Sequence, residues 1–323
     1  MALWKSLYAG MFGVVAAATW LSAGNPPEAV HSLEIADRVA KFEAFYAKAT
    51  AKPLDEGMRW ALWKKEYDIA AVPPGLDGDK MARQLLDSAW VKYPALMPKI
   101  PALRKEAEVD AHEAFDKINV LFETKGTPIH SRLVLYVGQF DDNAYTVPPM
   151  DGHLATVMMP VENVQLRLAL AHELTHSVHI QLAHVRNSFG APIGETMFLE
   201  GLAMRAAQRV FPGSPEAAYT ANDDKGWLAE CYRKKDAVLA SILPDLDKSG
   251  SEIAMKYTFG QGNNGLHREA YCAAWIVMGK LLDAGRTFPE LARIPESRMV
   301  GTIKDTMAAE VAVSSWILPR DLH

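Results

Sequence analysis

The chain has 323 residues, 49% of them hydrophobic and 23% charged, with a formal net charge of −5. That length and composition suit a globular protein with a core of one or two domains, and they exclude fibrous or wholly disordered chains. No long basic block is present, so nothing supports nucleic-acid binding or electrostatic adhesion to an anionic membrane.

From the N-terminus, Lys5 precedes an apolar stretch over residues 7–21, followed by Ser22, Ala23 and Gly24 and then by Pro26 and Pro27. Residues 1–24 read as a cleaved secretory signal, so the protein is expected to be exported, either to a periplasm or out of the cell. An uncleaved anchor, which would be the only membrane association, and a helix of the folded domain are the competing readings. The stretch is short for a full span, and no Cys follows it to carry a lipid.

Residues 25–127 read as an N-terminal helical region. Ile35, Val39, Phe42, Phe45 and Tyr46 recur at helical spacing. A second helix starts near Met58, and others are expected over 79–92 and 102–124, with Pro94, Pro98 and Pro101 between them. The aromatic residues here are expected in the core. Residues 128–323 then form the core of the chemistry and a C-terminal helical region. Residues 132–140 alternate and are β-branched, so they read as a strand. Asp151 and Gly152 signal a turn, 153–159 a second strand, and 143–150 a further short one. The fold class expected is α+β, mostly α, with a small sheet beside a helix that carries the next motif.

That motif is His172-Glu173-Leu174-Thr175-His176, preceded by good helix formers over 164–171. Four residues apart on a helix, two imidazoles can reach one metal ion. Glu173 then reaches a water on the metal's open side, the arrangement zinc-assisted hydrolysis requires. Leu182 stands where a metzincin would supply its third ligand, and His179 where its Gly would bend the helix, so a third ligand must come from elsewhere. Glu200 is the candidate. It interrupts an apolar helical pattern of Met197, Phe198, Leu199, Leu202, Met204 and Val210, where a carboxylate is costly unless paired or metal-bound. Gly201 beside it permits close helix packing, and Asn187, Ser188, Gly190, Pro192 and Gly194 supply the turn that returns the chain.

Several other residues carry weaker readings. His179 lies two turns from His172, roughly 10 Å by helical rise, too far to share its zinc, and is expected at the surface or behind the ligands. His153 and His184 read as surface or cleft residues. Glu195 is the alternative third ligand, although its place at a helix start is explained by the macrodipole. Cys231 and Cys272 either form one disulfide or are two small buried thiols, and neither reads as a zinc ligand. Helices are expected over 216–241 and 266–284, with one or two more in 287–318. Residues 260–265, Gly-Gln-Gly-Asn-Asn-Gly, lack the ending of a phosphate-binding loop and read as a flexible connection.

His-Glu-x-x-His followed by an apolar-Glu-Gly-Leu-Ala run resembles the gluzincin zinc peptidases, including their aminopeptidase type. More closely, the pattern resembles a bacterial family of predicted zinc-dependent proteases with a domain of unknown function. The similarity covers roughly residues 33–310, and only the two metal segments are specific. The resemblance implies one Zn²⁺ held by His172, His176 and Glu200, with Glu173 as general base, acting on a peptide or protein. It implies a tyrosine as donor to the developing oxyanion. Tyr271, near a helix start, fits that pattern better than Tyr257. It also implies that 152–159 lies near the cleft, as the edge strand that would hold an extended peptide. Thermolysin-like gluzincins carry an Asp where this chain has Met204. The alternatives are a non-catalytic, metal-stabilised peptide-binding protein and a zinc hydrolase of a non-peptide bond.

Overall fold

The computed structural model describes residues 30–70, 77–149, 154–186, 190–220 and 225–317. The expected signal segment, the turn at Asp151 and Gly152, His153, Asn187 and Ser188 lie outside the described residues.

The first element is a strand, β1 (Ser32–Asp37), which corrects the helical reading of Ile35. Leu33 and Ile35 alternate with polar neighbours, a period-2 signal masked by the apolar residues that follow at helical spacing. The chain turns into α1 (Val39–Thr50) at Asp37, whose carboxylate accepts from the Val39 amide at 2.8 Å. Then come α2 (Glu56–Glu66), capped by Asp55, α3 (Gly78–Ala89), capped by Asp77, and the short α4 (Tyr93–Leu96). A long α5 (Ile100–Leu121) follows and touches β1. Pro94 and Pro101 were expected between helices but lie in the first turns of α4 and α5, where a missing N–H costs nothing.

The sheet continues with β2 (His130–Tyr136), β3 (Tyr145–Val147) and β4 (Ala155–Pro160), in the order β1-β2-β4-β3. β1 and β4 run parallel to β2, and β3 runs antiparallel to β4. The N-terminal helices are fixed to the end of β2. The Tyr67 hydroxyl donates to the Val137 carbonyl and accepts from the Val137 amide, both at 2.8 Å, and the Tyr93 hydroxyl donates to the Gly138 carbonyl at 2.9 Å.

The remaining helices are α6 (Leu166–Ala183), α7 (Ile193–Val210), α8 (Trp227–Ile242), α9 (Ser251–Ala254), α10 (Glu269–Asp283), α11 (Phe288–Leu291) and α12 (Glu296–Ile317). The architecture is α+β and mostly α, as expected. One hydrophobic cluster runs from Val39 in α1 to Met307 in α12. α6 lies at its centre, packed against α5, α7 and the sheet, and is buried nearly all round. Among the described residues, no helix is long and apolar enough to cross a membrane.

Gly201 explains how α7 approaches α10. A Cβ there would stand 2.7 Å from the Ala274 carbonyl oxygen and 3.0 Å from Met278 Cβ. Cys231 of α8 and Cys272 of α10 are joined in a disulfide, which resolves the two readings of these residues.

Candidate metal centre

The helical spacing of the motif does on α6 what geometry requires. His172 Nε2 and His176 Nε2 stand 3.1 Å apart on one face. From α7, Glu200 places Oε2 3.1 Å from His172 Nε2 and 3.6 Å from His176 Nε2. Among the described residues this is the one cluster of three His, Cys, Asp or Glu side chains with ligand atoms converging closely enough to hold a metal ion.

The triangle fits a zinc ion. Ligand atoms at zinc bond lengths in a tetrahedral arrangement lie about 3.4 Å from one another. The donor set, two imidazoles and one carboxylate, is also a zinc set. Burial alone would raise the Glu200 carboxyl, but His176 and His172 outweigh it and hold Glu200 well below the usual carboxylate range. For His176, burial disfavours the charged ring, yet the charge and hydrogen bond of Glu200 raise it overall.

Glu173 is 8% exposed and faces β3. The Thr146 hydroxyl lies 2.7 Å from Glu173 Oε2 and 2.9 Å from the Glu173 carbonyl oxygen, donating to one or the other. Sequence reasoning missed Thr146, because a lone threonine in a three-residue strand carries no signature. The sheet order also corrects the strand reading: β4 is interior, and the edge strand beside α6 is β3.

Tyr271 lies in the first turn of α10, nearly buried, with the Arg268 guanidinium 3.6 Å over its ring. Burial raises its hydroxyl above the ordinary tyrosine value. Glu200 and Glu173 add to that rise, whereas Arg268 opposes it, so the hydroxyl sits in the field of the cluster. Tyr257 is committed elsewhere: its hydroxyl donates to Asp245 at 2.6 Å and accepts from Asn263 Nδ2 at 2.7 Å.

The loop at 260–265 is held, contrary to the flexible reading. It wraps the fully buried Glu269 carboxylate, which accepts from the Asn263 amide at 3.0 Å and from the Asn264 amide. Gly262 has φ +60°, and any Cβ there would overlap Glu269. The loop therefore fixes where α10, and Tyr271 with it, begins.

His179 is not at the surface. It is fully buried against Phe198, with both ring nitrogens unpartnered among the described residues, and burial, together with His176, pushes its pKa down to about 3. His184 is exposed and takes the left-handed position that ends α6.

Glu195 lies outside the triangle. It is hydrogen-bonded with Glu296 at the start of α12, and burial, then the Glu296 charge, push it up to about 7. Ionising Glu195 is thus penalised in the fold, and stability falls as pH rises from the unfolded value near 4.5 through about 7. We expect Glu195→Gln to match wild type at pH 4 and to be more stable at pH 8, by up to about 3 kcal/mol. Thermal unfolding at both pH values measures this. Equal melting shifts at pH 4 and pH 8 would refute the assignment.

Neither a curated protein nor a solved structure matches the chain. The segment that builds the site, from β3 through α6, α7 and α10 to the start of α12, does find a counterpart. These residues, 145–298, match the family described as "Predicted Zn-dependent protease (DUF2268)".

Proposed function

We propose that this chain is a zinc-dependent peptidase that hydrolyses peptide bonds with Glu173 as general base. The observation that carries the reading is the convergence of His172, His176 and Glu200 from two helices onto one triangle, with a carboxylate on the next residue.

His172, His176 and Glu200 would hold the ion. When bound, zinc supplies a Lewis acid that polarises a carbonyl and makes water acidic enough to lose its proton near neutral pH. Glu173 accepts that proton on a carboxylate oxygen and passes it to the leaving amine. Tyr271 donates its hydroxyl hydrogen to the oxyanion that develops on the substrate carbonyl, and Arg268 stacked on the ring keeps the tyrosine in place. The exposed side of β3 accepts an extended peptide by backbone pairing. Export is part of the reading, supported by the disulfide, which persists in oxidising compartments.

The test is metal content. Purified protein lacking residues 1–24 is expected to carry about one zinc per chain. Glu200→Ala is expected to lose it or bind it far more weakly. A wild type that takes up no zinc would remove the basis of the reading.

A further inference from the structure

Thr146 belongs to neither ligand set nor motif, yet its hydroxyl lies 2.7 Å from Oε2 of the Glu173 carboxylate. A carboxylate on a long side chain can rotate, and a base must present one oxygen to the water while the other is held. β3 is short, but it is fixed to β4 with Thr146 opposite Val157. Threonine is stiff at χ1, so a hydroxyl anchored there points in a defined direction. Alternation along the strand turns Thr146 to the face opposite Tyr145 and Val147, and its hydroxyl meets Glu173 of α6.

The hydroxyl has a single proton and two acceptors on the same residue, Oε2 and the carbonyl oxygen. Either bond ties β3 to the backbone turn that carries the base. The bond to Oε2 also assigns the two carboxylate oxygens different tasks. Oε2 is held by the strand, and Oε1 is left to accept a proton.

We propose that Thr146 is a positioning residue that orients the Glu173 carboxylate from the edge strand, leaving Oε1 to face the reacting water. This rests on Glu173 being the general base. Because β3 is also the strand along which an extended substrate would pair, occupancy of that strand and orientation of the base are set by the same three residues.

The experiment uses zinc-loaded protein, a cleaved peptide and a small hydroxamate, a zinc chelator whose hydroxyl hydrogen-bonds to the base carboxylate. Thr146→Val is expected to lower kcat by about 10- to 100-fold. KM, zinc content and melting temperature are expected to stay near wild type, and Thr146→Ser to recover most of the loss. Thr146→Val should weaken hydroxamate binding several-fold when Glu173 is present and leave it unchanged in the Glu173→Ala background, which has no side-chain oxygen for the hydroxyl to hold. Undiminished kcat in Thr146→Val, or equal impairment in the Ser and Val variants, would overturn the role. If zinc-loaded wild type cleaves no peptide, the hydrolase reading fails. The hydroxamate cycle then still decides whether Thr146 acts through Glu173, since equal weakening in both backgrounds overturns it.

Discussion

Glu173→Gln is expected to lower kcat/KM by on the order of 10³-fold while leaving zinc content at the wild-type level. The two halves of this result come from different parts of the site. The triangle of His172, His176 and Glu200 does not include Glu173, so an isosteric amide removes no ligand atom. The amide still fits beside Thr146, whose hydroxyl can donate to its oxygen at the position of Oε2. What the amide cannot do is accept a proton at neutral pH. Zinc content measured beside peptide cleavage separates the two effects. A fully active Glu173→Gln enzyme would remove Glu173 from the mechanism, and an inactive one without zinc would show that it supports the metal instead.

The second large effect concerns stability. Replacing both Cys231 and Cys272 by Ala is expected to destabilise the protein by about 4 kcal/mol, from the loop-closure entropy of their 41-residue separation. Alanine is the right probe, since both sulfurs are fully buried and serine would bury a hydroxyl in their place. The loss should appear as a lower urea midpoint, and wild type treated with a reductant should approach the variant. Activity should fall as well, below the unfolding transition. Cys272 directly follows Tyr271, and the disulfide fixes that turn of α10 against α8. An unchanged midpoint would mean that native packing alone holds the two helices.

The sequence exposed the parts of the site in unequal measure. His172 and His176 were legible because an i, i+4 pair is a local pattern that a helix converts directly into proximity. Glu200 was legible because a charge in an apolar run needs a reason, and Gly201 announced a close helix contact, realised against Ala274. Thr146 was not, because its meaning lies in a partner 27 residues away and in no spacing of its own. For His179 the surface reading fails because polar residues on most helices face water, whereas α6 is covered on nearly every side. The loop at 260–265 was read as flexible from its glycines and asparagines. Their conformation is set by Glu269, an acid whose burial only the fold reveals. β1 was masked by the helical spacing of the residues that follow it, and the strand it pairs with lies 98 residues on.

The separation between β1 and β2 has a consequence for how the molecule assembles. β3 and β4 pair as near neighbours in the chain, and β4 meets β2 within a few dozen residues. α6 and α7 follow at once. The half of the sheet that touches the metal helix can thus gather from one contiguous stretch. β1 must close a loop of nearly a hundred residues before its first bond forms, with α1 to α5 carried inside that loop. Parallel pairing at such a distance is slow, and until it occurs the outer edge of β2 is open to strands of other chains. The strand pairing that costs the most loop closure therefore lies on the side of the sheet away from the chemistry.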